Sequence, residues 1–148
     1  MRASRKRTIR AIAVVYACAL GAASLLPSGS HVLGRWDAAI STTTQNLLHV
    51  PAYAGLVVLV AIATGLSRTV RPWRLLAIAG VCLGYGLLLE VAQAAIPGRV
   101  GSATDALLNA VGVAAGVALV AVWRLLRRRA KIAQPTTGTQ HAAGGVAK

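Results

Sequence analysis

Four apolar stretches, each roughly 20 residues long, dominate this chain, and that length is what an α-helix needs to cross a bilayer core about 30 Å thick. The first runs from Ile9 to Leu26 and ends at Pro27. The second covers about Leu47 to Leu66, and the third about Trp73 to Ile96, ended by Pro97 and Gly98. The fourth covers about Ala103 to Leu126. In hydrocarbon every backbone N–H and C=O must find a partner without water, so such runs are predicted as helices. The expected fold class is all-α: a polytopic membrane protein built as a bundle of four transmembrane helices. The first run also has the basic start of a signal peptide. Its apolar part, however, exceeds the usual span of about 7–15 residues. A cleavage-like triplet, Ala17-Cys18-Ala19, comes too early in the run. It is therefore expected to stay as a membrane helix.

Charge orients these spans. The 148 residues carry 16 Lys and Arg against three acidic residues, a formal charge of +13, while 56% are hydrophobic. So basic a chain first suggests nucleic acid. The cations, however, form three clusters that punctuate the apolar runs, which is how a membrane protein distributes them. The N-terminus has Arg2, Arg5, Lys6, Arg7 and Arg10; the segment between runs two and three has Arg68, Arg71 and Arg74; the end of run four has Arg124, Arg127, Arg128, Arg129 and Lys131. The remaining connections hold only Arg35 and Arg99. The positive-inside rule then places both termini and the segment between runs two and three in the cytoplasm. Trp36, Trp73 and Trp123 fall near the expected interfaces. This divides the chain into a basic cytoplasmic N-terminus (1–8), a four-helix transmembrane domain (9–126), and a basic flank with a small, polar tail expected to be disordered (127–148). Cys18 and Cys82 are each read as small buried hydrophobes, with no spacing that suggests a disulfide or metal pair. The bias toward Ala, Val, Gly, Leu and Arg without Phe fits a G+C-rich bacterial source, so the expected location is a bacterial cytoplasmic membrane.

With that topology the unusual polar residues share the outer side. His49 opens the second span, Glu90 and Gln93 lie in the last turns of the third, and Asp105 and Asn109 lie in the first turns of the fourth. Arg99 sits in the connection between the last two spans. Positions three or four apart share a helix face. That places Glu90 with Gln93, His49 with Tyr53, and Asp105 with Asn109. Gly86 continues the first stripe inward, and Gly112 and Gly116 continue the last, where small residues let helices approach closely. An ionisable group facing lipid costs at least a few kcal/mol, so these faces are expected to meet inside the bundle. Structural roles compete for each residue. Asp105 caps the fourth helix, Arg99 is a loop charge paired with it, and His49 is an interface residue beside Pro51. Gln93 and Asn109 are interhelical hydrogen-bond partners, and Gly80-x-x-x-Gly84 and Gly112-x-x-x-Gly116 are packing motifs. Glu90, about 9 Å inside its helix end by helical rise, is the residue no structural rule calls for.

The order Glu90-x-x-Gln93, Pro97-Gly98-Arg99, Asp105-x-x-x-Asn109-x-x-Gly112-x-x-x-Gly116 resembles the VanZ-like family of small bacterial membrane proteins. The segment "LLHVPAY", with His49 and Tyr53, resembles that family's His-containing second span, so the resemblance covers about Leu47 to Val120. Gln45 and Asn46 stand where the family often has an Asp-Lys pair. The resemblance implies an association with glycopeptide resistance of the teicoplanin type and carries no settled reaction.

Two main functions compete. One is an envelope protein whose outer-leaflet pocket binds a lipid head group or lipid-linked cell-wall precursor. Arg99, Gln93, Asn109 and Tyr53 are then the ligand-binding candidates, and no cofactor or nucleic acid is involved. The other is a membrane enzyme on the same lipid, with Glu90, Asp105 and His49 as candidate acid and base groups or as ligands of a divalent metal. The chain has no nucleophile motif, zinc-protease motif or phosphate loop, and this weighs against catalysis. A proton-coupled transporter is a third reading, for which four spans are few unless the chain forms a homo-oligomer.

Overall fold

The computed structural model describes residues 2–25, 42–65, 72–96 and 102–132. They form five helices and no strand: α1 (Arg2–Leu25), α2 (Thr42–Leu47), α3 (His49–Ala63), α4 (Pro72–Ala94) and α5 (Ala103–Ile132). Three segments are long and apolar enough to cross a membrane: Ser4–Leu25 in α1, Pro72–Ala94, and Ala103–Ala130 in α5. The expected connection residues Arg35, Trp36, Arg68, Arg71 and Arg99, the Pro97-Gly98 turn and the tail from 133 onward lie outside the described residues.

The second run differs from its expected form. It is divided at Leu48, and α3 itself has 15 residues. Pro51 supplies the cause. It has no N–H for the Leu47 carbonyl four residues back, and its ring crowds that carbonyl. Bonds from Leu48 N to the Thr44 carbonyl (3.2 Å) and from Ala52 N to the Leu48 carbonyl (3.1 Å) carry the helical path across the break. From 42 to 63 that path rises about 33 Å, whereas α3 alone rises about 22 Å. At its other end α3 stops in a left-handed Gly65 (φ 73°), a conformation open to glycine without penalty. The Gly65 N–H bonds to the Ile62 carbonyl, and the Thr64 hydroxyl bonds to the Val60 carbonyl at 2.8 Å.

The helices alternate in direction. Gln93 of α4 reaches Ser24 at the end of α1, while Arg10 of α1 reaches Ala63 at the end of α3. Every described Arg and Lys therefore lies at one end of the bundle: the start of α1, the start of α4 and the end of α5. At that end the Arg74 and Arg127 guanidinium groups lie over the Trp73 and Trp123 rings, at 5.5 and 4.2 Å. The described carboxyl groups, Glu90 and Asp105, lie at the opposite end.

α3 is the centre of the bundle. It touches α1, α4 and α5, and its Tyr53, Leu56, Val57 and Ala61 meet Leu75, Ile78 and Cys82 of α4 and Val113 and Val120 of α5. The outside of the bundle is apolar: Val15, Leu76, Val81, Leu88, Val91 and Leu107 are 64–70% exposed. Water would not tolerate so much contiguous apolar surface; lipid accepts it without cost. Two sequence expectations need correcting here. Cys18 lies on the exposed face of α1, while Cys82 is buried. Gly80 and Gly84 are exposed with no neighbour within 4 Å of where a Cβ would stand, so they are no packing motif in this bundle.

Gly112 and Gly116 differ sharply from that outer pair. A Cβ at Gly112 would come 2.6 Å from the Val50 carbonyl oxygen, and one at Gly116 would come 2.8 Å from the Ala54 carbonyl oxygen. Backbone cannot move aside as a flexible side chain does, so α3 and α5 would have to separate. Gly112→Ala is expected to destabilise the protein by about 1–3 kcal/mol, the usual cost of overpacking. Gly84→Ala is expected to be neutral or stabilising. Thermal unfolding in detergent compares the two.

Candidate functional site

The polar end of the bundle is assembled from helix termini. α1 and α4 end there, and α3 and α5 begin there. A helix N-terminus leaves backbone N–H groups without intrahelical partners. At α5, Ser102 supplies the cap: the Asp105 N–H donates to Ser102 Oγ at 3.3 Å. In a reciprocal capping box the acidic residue at Asp105 would accept the Ser102 N–H in return. That N–H goes to another helix instead, donating to Glu90 Oε2 of α4 at 3.1 Å. Glu90 thus places a carboxylate group at the N-terminus of α5, where the helix dipole favours it. Among the described residues, Asp105 Oδ1 is left buried with no hydrogen-bond partner. Asp105 is therefore the third residue of the helix rather than its cap.

Glu90 and Gln93 are both buried. They share a face of α4, yet they serve different neighbours. Gln93 Nε2 donates to the Ser24 carbonyl at 2.6 Å and so ties α4 to the end of α1. Asn109, only 1% exposed, accepts at Oδ1 a 2.7 Å contact from His49 Nδ1. The His49 ring is half-buried and parallel to Tyr53, with an interplanar angle of 6° and centroids 6.4 Å apart. Tyr53, also 1% exposed, turns the hydroxyl end of its ring toward Gly86. A Cβ there would stand 2.9 Å from Tyr53 Cε1 and 3.1 Å from Asn109 Nδ2. Gly86 therefore makes room for the two residues at once. Asn109 is joined to His49 and lies against Tyr53 and Gly86; Glu90 meets Ser102 beside Asp105; Gln93 points toward α1. Arg99, three positions before Ser102, lies outside the described residues.

Two supports were not anticipated from the sequence. Tyr85 Oη donates to the Ala17 carbonyl at 2.7 Å, and Tyr16 Oη donates to the Ala52 carbonyl at 3.0 Å. Both fix α1 against the bundle. The signal was present, because a phenol in an apolar run must find an acceptor. The acceptors are backbone carbonyls on other helices, and no local pattern names those. Among the described residues, no three His, Cys, Asp or Glu side chains gather as a metal centre would require.

The family model described as VanZ/LLP1 matches residues 13–124. The chain belongs to the VanZ/LLP1 family. The match takes in the second half of α1 as well as the segment carrying His49, Glu90, Gln93, Asp105 and Asn109, so that half of the first helix is part of the family domain. Neither a curated protein nor a solved structure matches the chain. In this VanZ/LLP1 protein, then, the site is defined by its own geometry: two helix N-termini, one carboxyl shared across helices, and a histidine–amide pair.

The Glu90–Ser102 contact separates acceptor chemistry from charge. Glu90→Gln keeps an oxygen for the Ser102 N–H, so its thermal stability in detergent is expected to stay near that of the parent. Glu90→Leu leaves the N–H buried and unpaired, with an expected loss of about 1–3 kcal/mol.

Proposed function

We propose that this VanZ/LLP1 protein is a multi-pass protein of the bacterial cytoplasmic membrane. Both termini face the cytoplasm, and its polar end, in the outer leaflet, binds a lipid head group or a lipid-linked cell-wall precursor. The observation that carries this reading is the burial of Glu90, Gln93 and Asn109 together at one end of an otherwise apolar bundle. Ionisable and amide side chains at membrane depth are expensive, and they are kept where they meet a substrate or one another. The segregation of every described cation to the other end supports the orientation by the positive-inside rule. Arg99, in the connection between α4 and α5, would meet the phosphate or sugar of the head group. Gln93, Asn109 and Tyr53 would give direction, while Glu90 and Asp105 would orient the Arg99 guanidinium. The apolar flanks of α4 and α5 give a lipid lateral access. Through such a ligand the protein would contribute to glycopeptide resistance of the teicoplanin type.

A second reading, an enzyme acting on the same lipid, is favoured by one feature: a histidine held by an amide in a site that also contains two carboxyl groups. That is the equipment of acid–base chemistry.

Mass spectrometry of lipids that co-purify with the protein tests the main reading. The parent protein is expected to retain a defined lipid class, and Arg99→Ala and Glu90→Gln are each expected to lose at least about tenfold of it, which corresponds to roughly 1.4 kcal/mol. An identical lipid profile in all three proteins overturns the pocket. Conversion of an added lipid precursor by the parent, abolished in a folded Glu90→Gln variant, moves the assignment to the enzyme.

A further inference from the structure

We infer that Asn109 is a positioning residue that holds His49 as its Nδ1–H tautomer, so that Nε2 presents a lone pair to the site. The inference rests on the binding reading above and assigns the pocket a ligand class: a head group that offers an N–H or O–H donor.

The argument begins with the amide. Asn109 is 1% exposed, and its amide is packed against α4 at Gly86, which leaves it no room to swing away. Its Oδ1 lies 2.7 Å from His49 Nδ1. An amide oxygen only accepts, so the proton of that bond belongs to Nδ1. The amide nitrogen lies on the other side, toward α4, 3.1 Å from where a Cβ at Gly86 would stand. In a neutral imidazole one nitrogen donates and the other accepts; once Nδ1 is spent on Asn109, the acceptor is Nε2. The parallel Tyr53 ring limits rotation of the imidazole. Among the described residues Nε2 makes no hydrogen bond, and the ring is half-buried rather than sealed. Asp105 Oδ1, at the same end, is a second acceptor without a partner among the described residues. Two such acceptors call for donors on the ligand.

Nitrogen-15 NMR of the full chain, labelled at histidine and held in lipid nanodiscs, reads the tautomer directly. His49→Gln identifies the resonance. In the parent, Nδ1 is expected in the protonated range and Nε2 in the unprotonated range. Asn109→Asp, which keeps the acceptor, is expected to preserve the pattern, and Asn109→Leu is expected to lose or invert it. Nδ1 in the unprotonated range in the parent overturns the inference, whether or not the variants fold. The ligand class is read by changing the nanodisc lipid. Phosphatidylethanolamine, whose ammonium carries N–H groups, is expected to shift Nε2 toward the hydrogen-bonded range, and phosphatidylcholine, which lacks them, is expected to leave it in place. Equal Nε2 shifts in both lipids overturn the donor assignment. A parent that shows the tautomer but co-purifies no lipid separates this inference from the binding function, which alone then fails.

Discussion

The contact between α3 and α5 is the constraint from which the polar site follows. Gly112 and Gly116 bring the α5 backbone against the carbonyls of His49, Val50 and Ala54. In lipid there is no hydrophobic drive between helices, so such close packing, with its dispersion contacts, has to supply the association. The same contact sets the register. With Gly112 seated on the first turn of α3, Asn109, one turn earlier on the same face of α5, falls beside His49. The glycines and the histidine–amide pair are thus one feature seen at two depths.

Around that pair, the site satisfies its backbone with side chains from other helices. Glu90 takes the Ser102 N–H of α5, Gln93 donates to the end of α1, and the phenols of Tyr16 and Tyr85 donate to carbonyls of α3 and α1. A water-soluble helix end can leave such groups to solvent; one at membrane depth cannot. The end of α1 and the start of α5 therefore each depend on a residue of α4. This binds α1 into the domain despite its mostly exposed apolar surface.

Much of this was legible in the sequence because the bilayer leaves few alternatives. Run length gave the long helices, and the clustering of Arg and Lys gave the end they share. Stripes of positions three or four apart put Glu90 with Gln93 and His49 with Tyr53. The break at Leu48 was also written there, in Pro51, but the length of the apolar run concealed it. Partner choice was less legible. Gly80-x-x-x-Gly84 and Gly112-x-x-x-Gly116 have the same spacing, and only the rotation of each helix decides that one faces outward and the other faces α3. The same rotation sends Gln93 to a backbone carbonyl of α1 and leaves Asp105 Oδ1 without a partner among the described residues. These outcomes depend on the three-dimensional packing of separate helices, and local spacing carries no information about it.

The parallel pairing of α3 with α5 also has a temporal side. His49 and Asn109 are 60 residues apart in the chain, with α4 between them. A chain made and inserted from its N-terminus places α3 in the membrane well before its partner exists. Until α5 arrives, the carbonyls of its first turns lack the glycine face that covers them, and His49 lacks the amide that orients it. The polar site therefore cannot be completed until the first turns of α5 have been made and have reached α3.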